Sequence, residues 1–209
     1  MKFKAYLFDL DGTVLDTSYD LANAVNNMRT HYQLSALPVP EILSYLGDGA
    51  IQLVERSLSN TSTNIKEALK IFLDFYEDGI CIKTDFYPGV KEFLIELKKQ
   101  GIPAGILTNK PQAMTDKLID VLGIADLFQF AYGPDILGKK PDPNGLLHCL
   151  KELKVDAHEA VMVGDHHTDM LAGNAAGTKT IFVTFGFGHK AESQVDYEID
   201  CGTELFKFL

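Results

Sequence analysis

Basic residues are scarce in this chain. Nineteen lysines and arginines stand against 29 aspartates and glutamates, a formal net charge of −10 over 209 residues. Binding a phosphate polymer or an anionic membrane needs basic surface, so the balance argues against nucleic acid and membrane as partners. The protein's overall field also repels any anionic ligand, which must then be held by a local cation or a metal. Cysteine is sparse as well. Cys81, Cys149 and Cys201 are odd in number and far apart, which excludes a disulfide framework and a CxxC metal pair and suits a reducing compartment. No apolar run reaches the roughly 18 residues of a membrane span, and no separate signal region precedes the first strand-like segment. The expectation is a cytoplasmic protein.

What is present is an ordinary globular composition, 46% apolar and 23% charged, long enough for one sizeable core and a small second lobe. Short apolar runs recur at 5–8, 103–107, 128–132, 160–163 and 180–184. Continuous runs of this length suit strands covered on both faces. Helical patterns fall between them at 90–99, 114–122, 144–153 and 168–176, with Gly101 and Gly177 placed as C-caps. The alternation predicts an α/β fold with a doubly wound, Rossmann-like parallel sheet. Residues 17–83 break it. Leu21, Val25, Met28 and Tyr32 recur at helical spacing, as do Ile65, Leu69, Phe72 and Tyr76 behind a capping candidate at Asn64. The stretch from Leu46 to Ala50 supplies a flexible break between two short helices. The expected organisation is a core of residues 1–16 and 84–209 with an all-helical lobe, 17–83, inserted after the first strand.

Four motifs fall where apolar runs end, the edge at which open α/β sheets bind ligands. In Asp9-Leu10-Asp11-Gly12-Thr13 two carboxylates at i and i+2 leave a strand end on the same side. Gly12 allows the tight turn that lets backbone N–H groups face an anion. One carboxylate can attack phosphorus while its neighbour trades a proton with the leaving oxygen and then with water. A calcium loop is excluded, because Val14 and Asp20 stand where an EF-hand needs Gly and Glu. Thr108, after the second long apolar run, offers a hydroxyl to a phosphoryl oxygen, though Thr is common at such turns. Lys140, in Lys139-Lys140-Pro141, is a compact charge suited to phosphate, though most Lys-Lys pairs are solvated surface. In Gly164-Asp165-His166-His167-Thr168-Asp169 the first carboxylate again follows a strand directly, and Asp169 falls on the first helical turn. Asp9 and Asp165 on neighbouring strands suit Mg²⁺, which takes carboxylates, water and substrate phosphate; Asp169 is placed to orient a metal-bound water. Adjacent histidines tend to point apart, so His166 and His167 read as a surface turn rather than a zinc site.

These motifs, in this order, make the sequence resemble the haloacid dehalogenase superfamily of phosphohydrolases, and within it the phosphoglycolate phosphatase group along almost the whole chain. The segments 11–20, 46–50, 87–90, 108–111, 139–143 and 185–188 carry the same resemblance. It implies a Rossmann-like core with a helical cap. Asp9 is then the nucleophile and Asp11 the general acid/base, with Thr108 and Lys140 stabilising the phosphoryl group. Mg²⁺ is held by Asp9, the main-chain carbonyl of Asp11 and Asp165, with Asp169 behind them. Gly12, Thr13 and Asn109 are expected around the phosphate, and Tyr19, Gly47 and Gly49 around the rest of a small phosphorylated metabolite. His166 departs from the group, which has a small residue such as Ser there. A monomer or homodimer is expected. A phosphomutase of the β-phosphoglucomutase type, or a phosphatase for a sugar phosphate or pyrophosphate, is the alternative. A receiver-type signalling module needs no helical insertion, and a metal-free dehalogenase gives Asp11 no role.

Overall fold

Ala5–Phe8 is apolar at every position and buried at every position, the condition for a strand with helices on both faces. It forms β1, at the centre of a six-stranded sheet. The structure, a computed structural model, describes residues 2–59 and 61–209. After β1 come β2 (Leu15–Asp16), the helices α1 (Ser18–His31), α2 (Val39–Leu43), α3 (Ala50–Ser57) and α4 (Ile65–Asp78), and then β3 (Asp85–Phe86). The alternation resumes with α5 (Val90–Gln100), β4 (Ala104–Leu107), α6 (Gln112–Leu122), β5 (Ala131–Tyr132), α7 (Pro134–Leu137) and α8 (Asn144–Leu153). It ends with β6 (Ala160–Gly164), α9 (His167–Ala176), β7 (Lys179–Val183) and β8 (Tyr197–Ile199).

The strand order is β5-β4-β1-β6-β7-β8, with every neighbouring pair parallel. The chain steps outward from β1 in one direction, through β4 to β5, and then returns to build the other side from β6. The crevice at this reversal opens at the carboxyl ends of β1, β4 and β6, where Asp9, Thr108 and Asp165 stand.

Predicted and observed elements agree within a few residues except at the edges. The run at 128–132 yields only the two-residue β5, although its first half still lies along β4: the Gln129 N–H donates to the Ala104 carbonyl at 2.8 Å and the Phe130 carbonyl accepts from the Ile106 N–H at 3.0 Å. The short strand β8 lies in a polar stretch without an apolar run. The predicted break between core and helical segment contains a further feature, the antiparallel pair of β2 and β3, in which both chain crossings lie side by side. Asn64 caps α4 by accepting from the Lys66 N–H at 3.1 Å. Leu21, Val25, Met28, Phe72 and Tyr76 are buried, and with Ile42, Leu53 and Val54 they form an apolar cluster separate from the one under the sheet. Met114 of α6 and Phe187 close that cluster from the sheet side, which seats the helices over the strand ends.

Candidate active site

The tip of β1 delivers Asp9 into a pocket almost closed to water. Its carboxylate accepts from the Leu10 N–H at 2.7 Å and pairs with Lys140 Nζ at 3.0 Å. Burial pushes Asp9 up to about 6, an effect that Lys140 opposes and Asp169 reinforces. Asp165, at the tip of β6, is also raised well above the usual carboxylate range by burial and by the nearby carboxylates of Asp9 and Asp169. It is nonetheless held by specific donors: Thr13 Oγ1 at 3.1 Å, the Gly188 N–H at 2.8 Å and the Phe187 N–H at 3.2 Å. Asp169, completely buried, accepts from the His166 N–H at 3.0 Å and from Lys140 Nζ at 2.6 Å.

Carboxylate oxygens of Asp9, Asp165 and Asp169 all lie within 4.8 Å of one another. With Asp11 they make four acids against two ammonium groups, Lys140 and Lys110, so two acids in the crevice have no cation of their own. Hard oxygen ligands that outnumber the local cations in a buried crevice fit a divalent cation such as Mg²⁺.

The second motif supplies more than its hydroxyl. Thr108, buried, faces the cavity at the end of β4. Asn109 acts through its side chain, accepting from the Lys140 N–H at 2.9 Å and donating to the Lys140 and Gly47 carbonyls at 3.1 and 3.0 Å. One amide thus fixes the backbone that presents Lys140 and ties it to the helical segment. Lys110 is a site residue that the sequence reading passed over. Its ammonium lies 3.0 Å from Asp11 and 2.7 Å from the Tyr76 hydroxyl, 4.3 Å above that ring's centroid, with 3% of its side chain exposed. Lys110 stands three residues beyond a strand end, where lysine is usually solvated, inside the segment 108–111 that carries the family resemblance. Asp11 is fixed on its other side by Thr17 Oγ1 at 2.7 Å.

Gly12 and Thr13 support Asp165 rather than line the cavity. A Cβ on Gly12, whose φ is +80°, would fall 2.2 Å from an Asp165 oxygen, so only glycine fits. Gly47 and Gly49 do line the cavity, with φ of +93° and +83°. Tyr19 does not. Its side chain is half exposed beside Lys83; two residues on, about 200° around the helix, Leu21 is the one turned inward. The reading of His166 and His167 as a surface turn is also corrected. His166 is buried with its ring against Gly47, and its centroid is 4.1 Å from that of His167. Burial, with His167 beside it, lowers His166 to about 4.

The cavity lies between the acid cluster and a roof of α1, α3 and α4 side chains. A doubly wound sheet whose strand tips converge buried acids, a threonine and a lysine on such a cavity defines a phosphotransfer hydrolase. The haloacid dehalogenase-like hydrolase family pattern matches residues 6–183, and the chain belongs to that family; it is a phosphoric monoester hydrolase. It is 38% identical over 192 residues to the phosphoglycolate phosphatase of Colwellia psychrerythraea, covering 88% of this chain and 85% of that one. It is 36% identical over 208 residues to the phosphoglycolate phosphatase of Nitrosospira multiformis, covering 96% and 90%. The solved structure of a predicted phosphoglycolate phosphatase from Haemophilus somnus superposes with a TM-score of 0.92 at 27% identity, covering 99% of this chain and 98% of that one. Among the described residues no helix is long and apolar enough to cross a membrane.

Proposed function

We propose that the chain hydrolyses a small phosphorylated metabolite, phosphoglycolate first among them, through a phosphoryl group carried on Asp9, in the cytoplasm. The observation that carries this is the convergence within 4.8 Å of Asp9 and Asp165 at neighbouring strand tips with Asp169 on the first turn of α9, the Lys140 ammonium lying between Asp9 and Asp169. An Asp9 oxygen forms a bond to phosphorus as the ester P–O bond breaks, and Asp11 gives its proton to the departing oxygen. Water, deprotonated by Asp11, then attacks the same phosphorus; the Asp9–phosphorus bond breaks and inorganic phosphate leaves. Thr108 donates to the phosphoryl oxygens and Lys140 offsets their charge. Lys110 and Thr17 hold Asp11 in place between these two duties.

Asp9, Asp165 and the main-chain carbonyl of Asp11 would hold Mg²⁺, which when bound screens the repulsion between a carboxylate and a phosphate dianion. Asp169 holds Lys140 and the turn of His166 behind them. The helices of residues 18–78 form the cap, which excludes water from the reaction and meets the leaving group.

One observation favours a second reading. The roof over the nucleophile is largely apolar, built from Leu21, Leu46, Leu53, Phe72 and Phe187, which suits a leaving group bulkier than glycolate, as in a sugar phosphate. Phosphate release from a panel of small esters and pyrophosphate with Mg²⁺, ranked by kcat/KM, separates the two. Phosphoglycolate at the top supports the first reading and a sugar phosphate the second. Conversion of a hexose 1-phosphate to its 6-phosphate would identify a mutase instead.

A further inference from the structure

Three histidines meet beside the catalytic cavity, which His166 alone of them lines, and the hydrolysis mechanism uses none of them. His166 and His167 begin α9, and His189 arrives from the loop after β7. The ring centroids are 4.1 Å apart for His166 and His167, 5.1 Å for His166 and His189, and 5.4 Å for His167 and His189. The backbone fixes this meeting, because the His167 N–H donates to the His189 carbonyl at 2.8 Å. One ring nitrogen from each residue lies within 4.8 Å of the other two.

Two details distinguish the cluster from a stack of rings. Nδ1 of His167 is shielded from water and has no hydrogen-bond partner among the described residues, so a buried lone pair or N–H stands unused. Nδ1 of His166 caps α9, accepting from the Thr168 N–H at 3.5 Å and lying 3.1 Å from Thr168 Oγ1, so the orientation of its ring is fixed. A negative group stands nearby. Asp48, paired with Arg56 at 2.6 Å, acts electrostatically on both His166 and His167 from the helical side.

We propose that His166, His167 and His189 form a second cation site that takes a borderline divalent ion, Zn²⁺ in the first instance. Three imidazoles select Zn²⁺, Ni²⁺ or Cu²⁺ over Mg²⁺, whereas the acid cluster has the opposite preference. Zinc–nitrogen bonds of 2.0–2.1 Å bring ligand nitrogens to about 3.3 Å from one another. The broad side-chain torsion next to the imidazole allows the rings of His167 and His189 to swing that far inward, with water completing the tetrahedron. An ion there ties the turn before α9 to the loop after β7, the two segments that hold Asp165.

The test is Zn²⁺ titration by calorimetry in saturating Mg²⁺, on the full chain and on His167→Ala, His189→Ala and Asp165→Asn, each first checked for fold by circular dichroism. The expected result is one tight Zn²⁺ per wild-type chain, kept by Asp165→Asn and weakened more than about 100-fold by either histidine variant. Unchanged binding in the histidine variants, or its loss in Asp165→Asn, overturns the site. If the histidine variants do not fold, Co²⁺ added to the wild-type chain decides. The intense visible absorption of a four-coordinate nitrogen site supports the proposal, and the weak spectrum of six-coordinate oxygen ligation overturns it.

Discussion

The ammonium of Lys140 lies 2.6 Å from the carboxylate of Asp169, with both side chains sealed from water, and 3.0 Å on its other side from Asp9. One cation therefore spans the proposed nucleophile and an acid on the first turn of a helix. A buried carboxylate without a partner is strongly disfavoured, and Lys140 is the cation that both acids share. Asn109, gripping the Lys140 backbone, sets where that cation stands.

Lys140→Met should therefore cost about 3–5 kcal/mol of stability, because it leaves two buried acids without their partner, and should remove turnover. Urea denaturation reads the first effect and phosphate release the second. A loss well below that range would mean that Lys140 is not the cation holding the cluster together.

Asp9→Asn should abolish turnover while raising stability in chelator at pH 7. An acid whose pKa is higher in the fold than in the unfolded chain lends stability that is complete below its ordinary value and is lost as pH rises through the folded one, about 6 for Asp9. At pH 7 the wild-type chain has lost that contribution and the amide has not. The variant should melt above the wild type at pH 7, with the gap closing as pH falls toward about 4. A gap that widens on acidification would contradict the assignment.

Lys110→Ala should lower kcat by roughly 100-fold, the scale of a misplaced general acid, with a smaller change in KM. Tyr76→Phe, which removes only a hydroxyl from the same ammonium, should do less. Equal loss in both would point to packing rather than to the Lys110–Asp11 pair.

Gly12→Ala should cost about 1–3 kcal/mol from backbone strain at positive φ. It should also raise the Mg²⁺ concentration needed for half-maximal turnover, because its Cβ collides with Asp165. Chelator should silence the wild type, with Mg²⁺ restoring it.

The strand-end acids were legible because each follows an unbroken apolar run: a buried strand announces itself, and so does the residue that terminates it. The helical segment was legible from the spacing of Leu21, Val25, Phe72 and Tyr76. Lys110 and His189 were not, because their environment is made by distant parts of the chain. Tyr76 roofs one and the turn at 166–167 meets the other, and nothing local marks either residue as buried or clustered. Tyr19 failed for the reverse reason, since a place in the right helix does not fix which face meets the cavity. The pair β2–β3 has only two residues per strand, too short for any alternation to show.

The most direct test of the account is the site of covalent phosphorylation during turnover. The chain is quenched in acid while hydrolysing a ³²P-labelled ester with Mg²⁺, and its peptides are mapped by mass. The account predicts label on the peptide containing Asp9, absent from Asp9→Asn. Rapid turnover with no label on that peptide at any quench time, or label elsewhere in the chain, would contradict it.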